Sequence, residues 1–199
     1  MPRLFIALEV PLDITRSLTL LKGGMANARW IDPENYHITL RFIGDVENHM
    51  ADEIANSLDR VKRAPFEISL SGVGEFGSKK PHSLYASVRP NAELSQLAGD
   101  MERLCQRIGL PAEPRKFVPH ITIARLKAPQ IEDVAHYLSS RGNFSTQPFK
   151  VSRFVLMSSK DSVGGGPYIV EEDYLLVGRD AASARFDSEG KLPMATNGN

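Results

Sequence analysis

The sequence has little that would tie it to a membrane or to a disulfide-linked scaffold. Its 199 residues include a single cysteine, Cys105, which cannot form an internal disulfide and gives no sign of an oxidising compartment. No apolar run approaches the ~18 residues that a membrane-spanning helix needs. The N-terminus runs directly into a strand-like segment without the pattern of a signal peptide. We therefore expect a cytoplasmic protein with no membrane partner.

An excess of charge of one sign is also missing, because 24 Lys and Arg residues balance 24 Asp and Glu residues. Without a global positive field, contacts with nucleic acid must come from a local cluster of basic side chains. Such a cluster suits a small or terminal substrate better than a long duplex. His49, His82 and His136 have no metal-ligand spacing with one another or with carboxylates. No phosphate-binding loop motif follows the glycines at residues 164–166.

Hydrophobic periodicity predicts alternating helices and strands in one domain over residues 1–180. Apolar residues at helical spacing predict four helices, at residues 11–25, 50–61, 94–108 and 131–138. Short β-prone runs predict strands at residues 4–10, 36–43, 66–70, 84–88, 118–126, 149–158 and 168–177. Residues 181–199 are poor in apolar side chains, and we expect them to form a disordered C-terminal tail.

Two motifs are repeated at one offset. His-Ile-Thr-Leu at residues 37–40 returns as His-Ile-Thr-Ile at residues 120–123. Pro-Phe-Glu-Ile-Ser at residues 65–69 returns as Pro-Phe-Lys-Val-Ser at residues 148–152, again 83 residues later. Internal self-similarity of this kind indicates a duplicated unit. We predict an α+β fold of two pseudo-symmetric lobes, each with an antiparallel-type sheet and flanking helices, around a central groove.

The His-x-Thr spacing has a direct meaning on a strand. Because successive side chains alternate between faces, His37 projects with Thr39 and His120 projects with Thr122. Two imidazoles that meet across a groove supply one acid and one base near neutral pH, and the threonine hydroxyls can bind phosphate oxygens. One such motif alone would more readily be a structural histidine on a half-exposed strand. Two at a shared offset favour in-line displacement at phosphorus.

Three segments of the chain, at residues 3–8, 30–44 and 117–125, resemble a known family. They are similar to the two-histidine phosphoesterases, specifically to the bacterial RNA 2′,3′-cyclic phosphodiesterase or 2′-5′ RNA ligase-like branch. The resemblance extends over residues 3–178. It implies a two-lobed α+β fold, no metal or other cofactor, and hydrolysis of an RNA 2′,3′-cyclic phosphate to a 2′-phosphomonoester.

The resemblance also implies a role for each motif residue. His37 matches the proton donor to the leaving 3′-oxygen, and His120 matches the base that accepts a proton from the attacking water. Thr39 and Thr122 match the phosphate-binding threonines. Arg125 matches the family's phosphate-binding arginine five residues past the second histidine.

For three candidate residues, strand geometry decides whether the side chain faces the groove. Counted from His120, Arg125 has the wrong parity for a regular strand, so a bulge or the strand end must turn it toward the groove. Arg41 shares parity with His37 and is a candidate groove contact, with an ordinary ion pair at the rim as the alternative. Tyr36 is a candidate for stacking on a base, although strict alternation places it in the core instead.

The sequence therefore leaves two functional hypotheses open. The first is a monomeric phosphodiesterase acting on RNA 2′,3′-cyclic phosphate ends or small cyclic nucleotides, whose reverse reaction would be 2′-5′ RNA ligation. The second is a non-catalytic module that holds nucleotides or RNA ends in the same groove. Intact histidines and threonines in both motifs favour the enzyme.

Overall fold

The computed structural model describes residues 1–159 and 166–178, and the predicted tail lies outside this range. The described residues form four helices: α1 (Leu12–Thr19), α2 (Asn48–Leu58), α3 (Ala92–Arg107) and α4 (Ile131–Arg141). A 3-10 turn at Pro33–Asn35 precedes the first motif. The same residues form ten strands: β1 (Arg3–Glu9), β2 (Ala28–Trp30), β3 (His37–Asp45), β4 (Phe66–Ile68), β5 (Leu70–Phe76), β6 (Ser83–Val88), β7 (His120–Leu126), β8 (Phe149–Val151), β9 (Arg153–Ser159) and β10 (Tyr168–Leu175).

The strands build two four-stranded sheets, one for each lobe. The first lobe has the order β10-β9-β1-β3, and the second lobe has the order β2-β7-β6-β5. All of the described pairings between strands are antiparallel. The predicted α+β class with two antiparallel lobes is confirmed, and β3 and β7 carry one His-x-Thr motif each.

The repeats do not each form one lobe, and in this detail the prediction is wrong. The first repeat places β3 in the first lobe and then crosses through α2 and β4 to place β5 in the second. The second repeat places β7 in the second lobe and crosses back through α4 and β8 to β9. Each lobe is therefore built from both halves of the chain.

The second repeated motif forms the crossing point. Strands β4 and β8 pair antiparallel, with Glu67 directly opposite Lys150. These two residues are equivalent in the repeat, so the pseudo-two-fold axis passes between them. Phe66 and Ile68 are buried on either side of Glu67 in the chain, and the opposite charges at the axis favour this pairing. The two copies of this motif thus pair with each other at the junction of the lobes.

Helix α3 shows how local sequence builds the hydrophobic core. The Asn91 side chain accepts a hydrogen bond from the Leu94 backbone N–H at 2.8 Å and caps the N-terminus. Gly109 has a φ of +93°, a left-handed conformation that ends the helix where the sequence predicts. The helix buries one stripe of side chains against the core: Leu94, Leu97, Ala98, Met101, Leu104 and Cys105.

Candidate active site

Strands β3 and β7 present their motifs in the same way. Ile38 and Leu40 are buried in the core beneath β3, and Ile121 and Ile123 are buried beneath β7. The histidine and threonine of each motif are half-buried and alternate with these apolar residues. The motif side chains therefore lie on the face of each sheet opposite to the main core, as strand parity predicts.

The two imidazoles make the same hydrogen bond. His37 Nδ1 lies 2.8 Å from the backbone carbonyl oxygen of Asn35. His120 Nδ1 lies 2.6 Å from the backbone carbonyl oxygen of Val118. Because a carbonyl can only accept, each Nδ1 carries the proton that it donates. This leaves Nε2 of each ring as the nitrogen available for proton transfer.

His37 lies against two aromatic rings. Its ring centroid is 5.0 Å from that of Phe5 and 4.9 Å from that of Tyr168, which meets it edge to face. Burial lowers the pKa of His37 to about 4, with smaller contributions in the same direction from the positive charges of His120 and Arg125. The hydrogen bond to Asn35 opposes this shift without cancelling it. His37 is therefore neutral in the free protein at neutral pH.

His120 also lies against two aromatic rings. Its ring centroid lies 4.7 Å from that of Phe76 and 5.2 Å from that of Tyr85. Burial is the largest cause of a lowered pKa of His120, and the positive charges of Arg125 and Arg115 act in the same direction. A bound anionic phosphate would oppose these positive charges and favour protonation of either histidine.

A β-bulge brings Arg125 to the motif face. The pairing of β6 with β7 shifts register between Leu84 and Tyr85, with Ile123 as the extra residue on β7. The bulge reverses the parity of the residues that follow, so that Arg125 lies on the side of the two histidines. Its charge lowers the pKa of both, and its Nε is buried without a hydrogen-bond partner among the described residues.

The matching bulge in the first lobe has the opposite consequence for Arg41. The pairing of β1 with β3 shifts at Leu40, which turns Arg41 into the core and puts Phe42 at the position equivalent to Arg125. The Arg41 side chain is 7% exposed and pairs with Glu102 and, at 3.7 Å, with Glu113. The predicted groove contact of Arg41 is therefore wrong, because the bulge changes the parity on which it relied.

Tyr36 is also not a groove residue. Its side chain is 5% exposed and belongs to the main core cluster. Burial raises the pKa of its hydroxyl to about 12. Strict alternation from the neighbouring motif residue explains this orientation, so the prediction that Tyr36 stacks on a base is wrong.

The aromatic walls of the site were not anticipated from the sequence. Phe5 and Tyr168 contact one histidine, and Phe76 and Tyr85 contact the other. All four lie on strands whose partners cannot be read from local patterns. The register between neighbouring strands identifies them. Tyr85 on β6, for example, is paired directly with Thr122 on β7.

No group of three or more His, Cys, Asp or Glu side chains within residues 1–159 and 166–178 is arranged to hold a metal ion. No helix in that part of the chain is both long and apolar enough to cross a membrane. The candidate site is thus defined by two histidines, two threonines and one arginine.

Two antiparallel lobes with one His-x-Thr strand each define the class of two-histidine phosphoesterases. A sequence model of the 2′-5′ RNA ligase superfamily matches residues 29–162, more than half of the chain. The chain belongs to this superfamily.

Several relatives bear the name RNA 2′,3′-cyclic phosphodiesterase. The protein of that name from Aquifex aeolicus is 32% identical over 155 residues, which cover 75% of this chain and 82% of the relative. The one from Archaeoglobus fulgidus is 30% identical over 162 residues, which cover 77% of this chain and 92% of the relative.

Solved structures share the fold. TT0787 of Thermus thermophilus superposes with a TM-score of 0.73 at 24% identity, covering 89% of this chain and all of that one (100%). LigT of E. coli complexed with 3′-AMP superposes with a TM-score of 0.69 at 23% identity, covering 88% of this chain and 99% of that one. The agreement extends over nearly the whole length of both structures.

Proposed function

We propose that this protein is an RNA 2′,3′-cyclic phosphodiesterase that opens the cyclic ester by acid–base catalysis between His37 and His120. The observation that carries the proposal is the pair of identical Nδ1–H···O=C bonds, which leaves one reactive Nε2 on the motif face of each lobe. The names of the relatives and membership of the superfamily support the same activity. All of these groups come from one chain, and we propose that it acts as a monomer in the cytoplasm.

The reaction needs one neutral and one protonated imidazole. Nε2 of His120 takes a proton from water as the water oxygen attacks phosphorus. The bond from phosphorus to the 3′-oxygen breaks, and Nε2–H of His37 gives its proton to that oxygen. The products are a 2′-phosphomonoester and a free 3′-hydroxyl, and the protonation states of the two histidines have been exchanged.

Three groups are suited to hold the phosphate during this step. The Thr39 and Thr122 hydroxyls share the strand faces of the two histidines and can donate to non-bridging oxygens. The Arg125 guanidinium has an Nε without a partner among the described residues and can form a charge-assisted pair with the developing negative charge. No metal is required for any of these roles.

Metal independence is therefore the first prediction. Activity on an oligonucleotide ending in a 2′,3′-cyclic phosphate should be unchanged after exhaustive treatment with EDTA, because both proton transfers and the charge stabilisation come from side chains. A loss that only an added divalent cation restores would contradict the mechanism.

The identity of the product tests the roles of the two histidines. The assignment of proton donor and proton acceptor derives from the family resemblance. The near-symmetry of the site would also allow the cyclic ester to bind with its 2′-oxygen, instead of its 3′-oxygen, toward His37. Separation of the 2′- and 3′-phosphate products by chromatography distinguishes the two orientations. Mostly 3′-phosphate would keep the chemistry and exchange the roles of His37 and His120.

A binding module is the alternative function. It would bind a cyclic-phosphate end without converting it, so the same incubation over a panel of cyclic oligonucleotides and cyclic mononucleotides separates the two functions. The ratio of kcat/KM between the two substrate sizes also shows whether RNA ends or small cyclic nucleotides are the preferred substrate.

A further inference from the structure

Asn35 contacts the surroundings of His37 through two different groups. Its backbone carbonyl accepts the Nδ1–H bond of the imidazole at 2.8 Å. Its side-chain Oδ1 accepts a hydrogen bond from the backbone N–H of Tyr168 at 3.2 Å. The Tyr168 ring in turn meets the His37 ring edge to face at 4.9 Å. Asn35 is therefore linked to the imidazole both directly, through its carbonyl, and indirectly, through Tyr168.

The amide of Asn35 is enclosed at this position. The residue is only 6% exposed. Gly166 packs directly on the amide, so that a Cβ at Gly166 would overlap the Asn35 side-chain atoms. The chain can approach this closely only because the residue is glycine, whose φ of +94° also lies in the left-handed region. The residues just before β10 therefore pack closely on the Asn35 amide, and Tyr168, which follows them, contacts His37.

We infer that Asn35 is a positioning residue whose side chain fixes the orientation of His37 for the reaction. The inference rests on the proposed function. The buried amide holds the start of β10 while its own carbonyl holds Nδ1, so one residue sets the tautomer and the ring plane together. Loss of the side chain would keep the backbone carbonyl but remove one restraint on Tyr168 and on the 3-10 turn that carries this carbonyl. Nε2 would then lose its alignment toward the leaving oxygen.

The second lobe shows that this side-chain contact is not a general requirement of the motif. Val118 stands at the equivalent position and offers the same backbone carbonyl to His120. Val118 is 42% exposed, whereas Asn35 is buried. The two histidines therefore share the main-chain bond, and the additional amide support belongs to His37.

Asn35→Ala tests the inference, with Val118→Ala as the comparison variant in the other lobe. On an oligonucleotide with a 2′,3′-cyclic phosphate, we expect Asn35→Ala to lower kcat about 10–100-fold, by analogy with the loss found when a group that orients a metal-binding histidine is removed. KM should change by less than about threefold, because the phosphate-binding groups are untouched. Val118→Ala should cause a much smaller loss. A kcat within about twofold of the unmutated protein, or an effect on KM alone, would overturn the inference.

A readout independent of activity separates this inference from the proposed function. Nitrogen-15 NMR of the imidazoles in the unmutated protein should show His37 with its proton on Nδ1. In Asn35→Ala we expect a mixture of tautomers and a His37 pKa closer to its ordinary value. Unchanged His37 signals would overturn the positioning role even if the enzyme is active. An inactive unmutated protein would instead contradict the proposed function.

Gly166→Ala approaches the same contact from the opposite side and leaves Asn35 in place. The added Cβ should displace the amide and lower kcat in the same manner. Gly23→Ala is the matched control, because Gly23 has a φ of +98° with open space around it. The double variant Asn35→Ala/Gly166→Ala should be little worse than Asn35→Ala, since the overlap disappears with the amide. Fully additive losses, or equal losses in Gly23→Ala, would overturn the inference.

Discussion

At the scale of residues, His37 and His120 form the same main-chain hydrogen bond in unlike surroundings. His37 lies against Phe5 and Tyr168, and its pKa falls to about 4. For His120, burial is the largest cause of a lowered pKa, and Arg125 and Arg115 both act in the same direction. Since both pKa values are below the ordinary value of about 6.5, the bell-shaped dependence of kcat/KM on pH should be displaced toward acid.

The low pKa of His37 also predicts how stability depends on pH. Between about pH 6.5 and 4 the unfolded chain binds a proton at this residue and the folded protein does not, so stability is lost as pH falls through that window. The loss from His37 should reach up to about 3 kcal/mol. Urea unfolding at about pH 7.5 and at about pH 4 gives the decrease in unfolding free energy on acidification. This decrease should be smaller for His37→Gln than for the unmutated protein. An equal decrease in both proteins would contradict the assigned shift.

Arg125 provides a second prediction at this scale. Arg125→Ala should lower kcat/KM about 10²–10³-fold, the usual effect of removing a donor to a developing negative charge. Arg125→Lys should recover only part of the loss, because an ammonium cannot reproduce the planar fork of a guanidinium. Lys127→Ala, which removes an exposed cation two residues away, should have little effect. Equal losses of kcat/KM in Arg125→Ala and Lys127→Ala would contradict a direct phosphate contact and leave Arg125 with only a non-specific effect of its positive charge.

At the scale of elements, the β-bulges in β3 and β7 decide which arginine reaches the site. In β7 the bulge turns Arg125 to the histidines, and in β3 it turns Arg41 into an ion pair with Glu102 and Glu113. A repeated backbone feature thus has opposite results, because the two strands carry different residues after it. This difference is one source of the asymmetry of the site.

Arg41 should therefore matter for stability. Arg41→Ala leaves two partly buried carboxylates without their cation, and we expect it to lower the unfolding free energy by about 2–3 kcal/mol. Arg103→Ala is the control, because Arg103 is largely exposed in its pair with Asp100 and such pairs contribute at most about 1 kcal/mol. Urea unfolding at neutral pH compares the two. A loss in Arg41→Ala no larger than in the control would contradict the structural role.

Local sequence predicted the repeated elements well and the pairing between them poorly. The His-x-Thr strands, helix α3 and its glycine end all appear where periodicity places them. Strand β5 was predicted only at its first residue, because Gly72 and Gly74 are typical of turns. The register explains Gly74, whose missing Cβ leaves room for the Tyr85 ring that contacts His120. Such long-range contacts leave no local pattern.

At the scale of the whole molecule, the crossing at β4 and β8 joins the lobes that carry the two histidines. Each repeat contributes strands to both sheets, and the repeated motifs pair with one another at the pseudo-two-fold axis. The duplication predicted two facing lobes, while the exchange of strands depends on pairing that the sequence does not display. The proposed active site draws one histidine from each sheet.

We propose that both histidines act on one displacement, which single and double substitutions of His37 and His120 can test. His37→Gln and His120→Gln should each lower kcat on an oligonucleotide with a 2′,3′-cyclic phosphate by about 10²–10⁴-fold. The double variant should lose little more, because the two groups act as a unit. Affinity for the 2′-phosphorylated product should change far less, since Thr39, Thr122 and Arg125 remain. Full activity in either single variant would contradict the two-histidine mechanism.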